Sequence, residues 1–459
     1  MPVLICTLTI KHAGQPLRKQ FRHFNSLLIR GLKNATMALN FQRRDRNKQN
    51  YGANVKSGRN YWTNTRAYSV VEENQRRVME EIPLSRPGRM DRGIIALTFC
   101  LIAIGVLMVY SSSHLLSSRH YDGYSYRYLQ IHIIACAIGL TGMFVASYLP
   151  YRFYAKHANL FLILSFVGLL LVFVPSLGAS VQGAEGGRFN RWIRIGNLPI
   201  NFQPVEFAKI GLVIHVAHFI SRDPERARSF FNGVLPNILI IGAAFGLVAS
   251  QPDFGSAFLL AVTVCIVLFV GGIRILHALA LAGAGGGLLS LLIIRDPYRL
   301  RRFLDYFAML KSPDAANYQL TRSLDALEGG GFLGAGIDSS LQKISRLPYP
   351  HTDFIFAVLG EEFGFIGAVT VTILFMLFIW RGLHIARRTN DLFASLLATG
   401  LTVLIGLQTF INIGVVVGLL PTKGITLPFI SYGGSSIVLS LVGVGILLNI
   451  SRTTNPARD

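Results

Sequence analysis

The sequence predicts an all-α polytopic membrane protein with about ten transmembrane helices and a large structured extracytoplasmic loop between spans seven and eight. Three observations predict it. Of the 459 residues 51% are hydrophobic and only 15% charged, with a mean hydropathy of +0.46. Apolar stretches long enough to cross a hydrocarbon core of about 30 Å recur along the chain. The alternating apolar and polar pattern of a membrane β-barrel is absent.

In chain order, residues 1–92 read as a basic, disordered cytoplasmic tail. No acid precedes Asp45, and the apolar run at 3–10 lacks a small-residue cleavage site, so no secretory signal is read. A transit peptide, a disordered arm and an upstream start codon with Met37 as the true beginning all fit this tail, and a non-essential tail is the favoured reading. The membrane domain occupies 93–452, with apolar spans at 94–112, 131–149, 160–177, 204–220, 234–250, 256–272, 275–294, 354–380, 392–420 and 427–450. Residues 453–459 form a short C-terminal tail. Arg86, Arg89 and Arg92 precede the first span, and Arg222, Arg226, Arg228, Arg381, Arg387 and Arg388 fall on the same side. That bias, with an even number of spans, places both termini in the cytoplasm.

A net charge of +21 would suggest nucleic acid in a soluble domain. Here topology accounts for much of it, and no nucleic acid is expected. The opposite face departs from the rule, because Arg188, Arg191, Arg194, Arg295, Arg299, Arg301, Arg302 and Lys311 would lie outside. Those charges call for an anionic partner. Cys6, Cys100, Cys136 and Cys265 form no closely spaced pair, so neither a disulfide framework nor a zinc site is indicated.

Two outer loops are long enough to hold structure. Loop 179–202 mixes Trp192 with Arg188, Arg191 and Arg194, a composition suited to gripping phosphates or sugars, or to interfacial anchoring. Loop 295–352 is too long for a plain connector and should contain short helices. Its Gly329, Gly331 and Gly334 have dinucleotide-type spacing, but no strand precedes them, so that reading is rejected. They are expected to let the backbone turn near the bilayer surface or a bound headgroup, or simply to loosen the loop.

Four motifs carry candidate chemistry. In Gln203-Pro204-Val205-Glu206-Phe207-Ala208-Lys209, the proline suits a first helical turn, and Glu206 and Lys209 share a face on which they can pair. Such a pair is either a structural bridge or a lysine held toward an anionic substrate. Asp253 is placed to cap the sixth span. The segment Leu347-Pro348-Tyr349-Pro350-His351-Thr352-Asp353 runs directly into an apolar span, setting a carboxylate at the membrane surface, where it marks a functional site. A helix dipole would lower the pKa of Asp353 and desolvation would raise it, with the balance open. Glu361 and Glu362 lie off its face and are assigned to packing or gating. Finally, residues 420–436 read as a broken helix start in which Lys423, Ser431, Gly433, Gly434 and Ser435 could cradle a phosphate or sugar, a structural kink being the alternative.

Over residues 91–452 these motifs resemble the SEDS family (shape, elongation, division and sporulation), its cell-division branch more than its elongation branch. The carriers are Phe202-Gln203-Pro204 with Glu206 and Lys209, Gln251-Pro252-Asp253, Pro297-Tyr298-Arg299, His351-Thr352-Asp353-Phe354-Ile355-Phe356 with Gly360-Glu361-Glu362, Pro421-Thr422-Lys423-Gly424, and Ile430-Ser431-Tyr432-Gly433-Gly434-Ser435-Ser436. Tyr349-Pro350 and Val205 depart from the family pattern, and Pro350 is expected to stiffen the approach to Asp353.

The resemblance implies a glycosyltransferase that polymerises lipid II, the undecaprenyl-pyrophosphate-linked disaccharide-pentapeptide, into glycan strands at the outer face of the bacterial inner membrane, at the division septum. Asp353 matches the family's catalytic position, with His351 the next candidate for the base. Glu206, Lys209, Arg191, Arg299, His351, Lys423, Ser431, Gly433, Gly434 and Ser435 form the expected substrate-binding set. No cofactor is required by the pattern, and a divalent cation, Mg or Mn, could assist the leaving pyrophosphate. Expected partners are the lipid II substrate and growing strand, membrane lipid, a class b penicillin-binding protein that cross-links the strands, and other division proteins. The alternatives are an elongation-type polymerase, a lipid II flippase, which also needs many spans and buried charges, and a scaffold without chemistry.

Overall fold

Residues 88–454 are described by a computed structural model, apart from 121–123, 183–187, 195, 197–200, 312–317, 338–339 and 341–346. The expectations for the N-terminal tail, including Met37, and for the last residues lie outside the described residues. All ten expected spans are helical. They are α1 (Arg92–His120) and α2 (Arg127–Tyr148), then, beyond the short α3 (Tyr151–Lys156), α4 (Ala158–Leu171). After a β-hairpin come α5 (Pro204–Arg222), the short α6 (Pro224–Ala227), α7 (Leu235–Ala249), α8 (Phe254–Val270) and α9 (Ile275–Arg295). Loop helices α10 (Pro297–Lys311) and α11 (Tyr318–Gly330) precede the last three spans, α12 (Ile355–Arg388), α13 (Leu392–Val416) and α14 (Gly434–Thr454). Eight of the ten are long and apolar enough to cross a membrane, α7 together with the π-turn Phe230–Val234 that leads into it, while α4 and α8 are shorter apolar helices of 14 and 17 residues.

Burial sorts the helices. In α5, α13 and α14 about three quarters of the apolar window is covered by protein, 78%, 72% and 72%, whereas α9 has no buried residue at all. The first three form the bundle centre and α9 presents its apolar surface to lipid. At one end of the bundle the first and last described segments meet: the Gly88 amide donates to the Arg452 carbonyl at 3.0 Å, and the Asp91 amide donates to Ser451 Oγ at 3.0 Å. This is what an even number of crossings produces. Asp91 also caps α1 through the Ile94 amide and faces Arg381 at 3.5 Å.

The other end carries the irregular structure. Loop 179–202 holds structure, as its length suggested, though strands were not read from its sequence. It is a three-stranded antiparallel sheet of β1 (Gly178–Gln182), β2 (Arg188–Arg194) and β3 (Asn201–Phe202), in which Gly178 faces Ile193 and Arg194 faces Asn201. The two longer strands, of 5 and 7 residues, do not alternate strictly between apolar and polar side chains, with Trp192 beside Ile193 and Asn190 beside Arg191, so the period of two is lost. The expected short helices of loop 295–352 are α10 and α11.

Several span boundaries move. The ninth span ends at Val416 and the tenth starts at Gly434, so residues 417–433 are non-helical, consistent with the broken start read from the sequence. Span eight continues to Arg388 and kinks at Gly364, where φ is 66° and ψ is −166°. The expectation that the loop glycines let the backbone turn holds: Gly331, Gly334 and Gly336 have positive φ, and the turn they make packs against α12 at the kink. The amides of Ala335 and Gly336 donate to the carbonyls of Glu361 and Glu362 at 2.9 and 3.0 Å, and the Phe365 amide donates to the Gly331 carbonyl at 2.9 Å. A Cβ on Gly334 would stand 2.2 Å from the Glu362 carbonyl oxygen, so only glycine fits. Glu361 and Glu362 have the packing role expected of them: the hydroxyls of Ser340 and Ser111 donate to their carboxylates.

Candidate active site

Asp353 occupies a turn just before α12, whose first residue is Ile355 and whose N-cap is Phe354. It therefore stands outside the first helical turn, where the dipole is felt. Its backbone carbonyl is held by Asn412 Nδ2 at 2.8 Å, and the same amide nitrogen reaches the Ile425 carbonyl at 2.7 Å. Asn412, on α13, thus clamps the Asp353 turn to the loop 417–433. Gly424 of that loop is exposed and lies against the carboxylate: a Cβ on it would be 2.7 Å from Asp353 Oδ2. Any larger residue would displace the acid.

Among the described residues, nothing donates a hydrogen bond to the Asp353 carboxylate. Burial pushes its pKa up to about 7, the nearby Asp253 carboxylate pushes in the same direction, and Arg191 opposes them. The sequence left the direction of the shift open; burial, with Asp253 adding to it, sets it upward. A carboxyl poised near neutrality is suited to accepting a proton.

Asp253 caps α8 through the Ser256 amide at 3.1 Å, as expected, and Gln203 Nε2 donates to its other oxygen at 3.4 Å. Its second role, as the negative charge facing Asp353, was not read from the sequence. Arg191, on β2, donates from Nε to the Gln251 carbonyl at 3.0 Å and from Nη2 to the Pro252 carbonyl at 2.7 Å. The hairpin therefore fixes the turn that carries Asp253.

The cations gather beside the acids. Arg299, opening α10, pairs with Asp296 at 2.8 Å and lies over the Phe254 ring at 3.3 Å, with the Lys423 ammonium 6.0 Å from the same ring. Burial lowers the pKa of Lys423, as do Arg302 and Arg299, against the pull of Asp253 and Asp296. A half-buried ammonium depressed by two guanidiniums would be relieved by an anion. Lys423, Arg299, Arg191 and Asp353 thus share one electrostatic site, built from four segments distant in sequence.

Other expected substrate residues are engaged with the protein. Ser431 Oγ donates to the Thr352 carbonyl at 2.6 Å and accepts from the Leu427 amide at 2.7 Å. Ser435 Oγ donates to the Asn201 carbonyl and accepts from the Gln203 amide, both at 2.9 Å. The hydroxyl protons of both serines are committed to backbone, tying the Asp353 turn and the hairpin to the start of α14. Gly433 and Gly434 have no positive φ. The His351 ring packs on Tyr128 at 4.9 Å and Tyr432 at 5.6 Å, and its carbonyl accepts from the Tyr432 amide. Tyr349 takes a left-handed φ of 54° just before Pro350.

Glu206 and Lys209 pair at 2.8 Å inside the bundle, Lys209 being 2% exposed. The ammonium also reaches Gln408 Oε1 at 3.3 Å, and Gln408 Nε2 donates onward to the Thr426 carbonyl at 2.9 Å. Sequence reasoning missed Gln408 and Asn412, and it read Gly424 only as part of Pro421-Thr422-Lys423-Gly424, not as the neighbour of the acid. The first two could have been found as polar amides four residues apart on a largely apolar span. Nothing local gives the contact of Gly424 with Asp353.

Known proteins resemble this chain in sequence and in fold. The family profile described as cell cycle protein, covering FtsW, RodA and SpoVE, matches residues 92–456. A protein of Coxiella burnetii named probable peptidoglycan glycosyltransferase FtsW is 39% identical over 367 residues, 79% of this chain and 96% of its own length. Stage V sporulation protein E of Bacillus subtilis is 37% identical over 362 residues, 79% of this chain and 97% of its own. Among solved structures, a chain of a peptidoglycan synthase complex that coordinates polymerization and crosslinking superposes with a TM-score of 0.62 at 28% identity, covering 81% of this chain and 99% of that one. The rod shape determining protein RodA of Thermus thermophilus gives 0.58 at 27% identity, covering 81% and 98%.

Proposed function

The chain belongs to the FtsW, RodA and SpoVE family of cell cycle proteins, and from that premise we infer that it is a peptidoglycan glycosyltransferase polymerising lipid II for septal wall synthesis. The observation that carries the mechanism is the Asp353 carboxyl: half-buried, without a hydrogen-bond donor among the described residues, poised near pH 7 and beside a cluster of cations.

In the reaction, a sugar hydroxyl of one chain end attacks the anomeric carbon of another, a C–O bond forms, and the bond to the polyprenyl pyrophosphate breaks. Asp353 accepts the hydroxyl proton as general base, worth about 10²- to 10⁴-fold. Lys423 and Arg299 hold the negative charge that develops on the departing pyrophosphate. Arg191 positions Asp253, and Asn412 and Ser431 hold the turn so that the acid faces Gly424. Among the described residues no group of three His, Cys, Asp or Glu side chains is placed to hold a metal ion, and no step here is routed through one.

Facing the extracytoplasmic side of the inner membrane, this end of the bundle would meet lipid II with its tail in the bilayer and its headgroup wet. The strands made there would pass to a class b, FtsI-like penicillin-binding protein at the septum, alongside other division proteins; the likeness to a chain from a synthase complex supports such a partner. The test is purified protein, with and without its cognate penicillin-binding protein, incubated with labelled lipid II. Wild type should give glycan ladders and Asp353→Asn none, with expression and lipid II binding retained. Equal ladders from both would remove Asp353 from the chemistry; lipid II crossing vesicle bilayers without ladders would point to a flippase.

A further inference from the structure

At the bundle end opposite Asp353, the turn between α5 and α7 and the turn before α9 enclose a cleft of about 450 Å³ lined by Glu225, Arg228, Ser229, Phe230, Arg274 and His277. Its charge is unbalanced. Arg228 meets Glu225 only loosely, at 3.3 Å with both side chains well exposed, and Arg274 has no ion-pair partner among the described residues. His277 Nδ1 is buried with no hydrogen-bond partner, and the His277 ring lies 5.5 Å from that of Phe230. Two guanidiniums and an imidazole therefore face a space that contains a single carboxylate.

The surroundings specify the kind of anion. Phe231, Ile275 and Leu276, chain neighbours of the lining residues Phe230, Arg274 and His277, are 74%, 62% and 71% exposed, in the turn before α7 and at the start of α9. A soluble anion has no use for that apolar rim, whereas a lipid lays its acyl chains on it while its phosphate meets the arginines. A single π-turn, Phe230–Val234, interrupts the chain at this point, a distortion that recurs at functional sites. We propose that this cleft binds the phosphate headgroup of an anionic phospholipid from the leaflet opposite the active site, a basic pocket between spans being the usual form of such recognition. The site is independent of the polymerase reading; only naming its leaflet as cytoplasmic rests on the orientation given above.

The experiment is native mass spectrometry of the full chain in detergent, titrated with phosphatidylglycerol or phosphatidylcholine. Wild type should retain phosphatidylglycerol in preference. Removing one exposed arginine, in Arg274→Gln, should weaken that retention about fivefold, and Arg228→Gln should do the same. The pair Arg387→Gln/Arg388→Gln, which removes charge from the same face elsewhere, should leave it unchanged. His277→Gln, which keeps both arginines, should reduce the preference without abolishing it. Equal retention by wild type and Arg274→Gln would overturn the proposal, as would equal loss in the Arg387/Arg388 variant, which would indicate general surface charge. Displacement of the lipid by inorganic phosphate at equal potency would overturn it in favour of a free-phosphate site. None of these readouts depends on glycan synthesis.

Discussion

Two polar regions of this molecule look alike in sequence and differ in structure. Glu206 and Lys209 lie in the bundle centre, paired at 2.8 Å, closed off by Gln408 and almost inaccessible. Around Asp353 the acids and cations are close enough to shift one another, yet the carboxylate accepts no hydrogen bond among the described residues and Gly424 beside it is open. The first arrangement is neutralised and holds helices together. The second is left unsatisfied, which costs stability and leaves charge available for a substrate. A charged motif in a membrane span is thus read by whether its partners have already settled it.

The largest expected effect is at the open site, where Asp353→Asn should lower the polymerisation rate by about 10²- to 10⁴-fold in the ladder assay. The same variant should melt at a higher temperature at pH 8, and this gain has a definite sign. The folded pKa is raised to about 7 from the ordinary value of 3.8 that the unfolded chain keeps, so the carboxyl's contribution to stability is fully present below the unfolded value and is lost as pH rises through about 7. An uncharged amide escapes that loss, and the difference between the two proteins should vanish near pH 4.

At the closed site the effect should fall on stability instead. Glu206→Gln strands a buried ammonium and should cost about 3–5 kcal/mol, seen as a lower melting temperature in detergent. A double variant, Glu206→Leu with Lys209→Met, should recover much of that loss. If Glu206→Gln melted like wild type but made no glycan, the pair would belong to the chemistry and the contrast between the regions would fail.

Most of the fold was legible because apolar length is a local property, and the polar residues at span ends stood out against it. The acid at 353 and the three-residue spacing of Glu206 and Lys209 needed no tertiary knowledge. The contacts that shape the site did need it. Asn412 reaches Asp353 across 59 residues of sequence, and Gly424 matters only because the carboxylate happens to lie beside it. The hairpin was hidden because its strands do not alternate strictly between apolar and polar residues, and the loop glycines were left between a turn near the bilayer surface or a headgroup and a merely loose loop because the kink they pack against, at Gly364, has no sequence sign beyond one more glycine. Gly424→Ala tests this non-local part directly. Its methyl would stand 2.7 Å from Asp353 Oδ2, so the acid must move, and a displacement of that kind should reduce the rate by about 10²-fold with little change in melting temperature.

The smallest effect is the most specific to the open site. Asp253→Asn keeps a good N-cap for α8 and a partner for Gln203, but removes the negative charge that raises the pKa of Asp353. The base must be ionised to act, so polymerisation should rise with pH through an apparent pKa near 7 in wild type, and this limb should move to lower pH by on the order of one unit or less in the variant. Arg191 acts with the opposite sign, and Arg191→Gln should move the limb upward, although it also frees the carbonyls of Gln251 and Pro252. Shifts in opposite directions from two residues that do not touch the proton would show that the rate follows the charge state of Asp353. A profile unmoved by either substitution would mean that the two charges do not set the base, and that the open site differs from the closed one in accessibility alone.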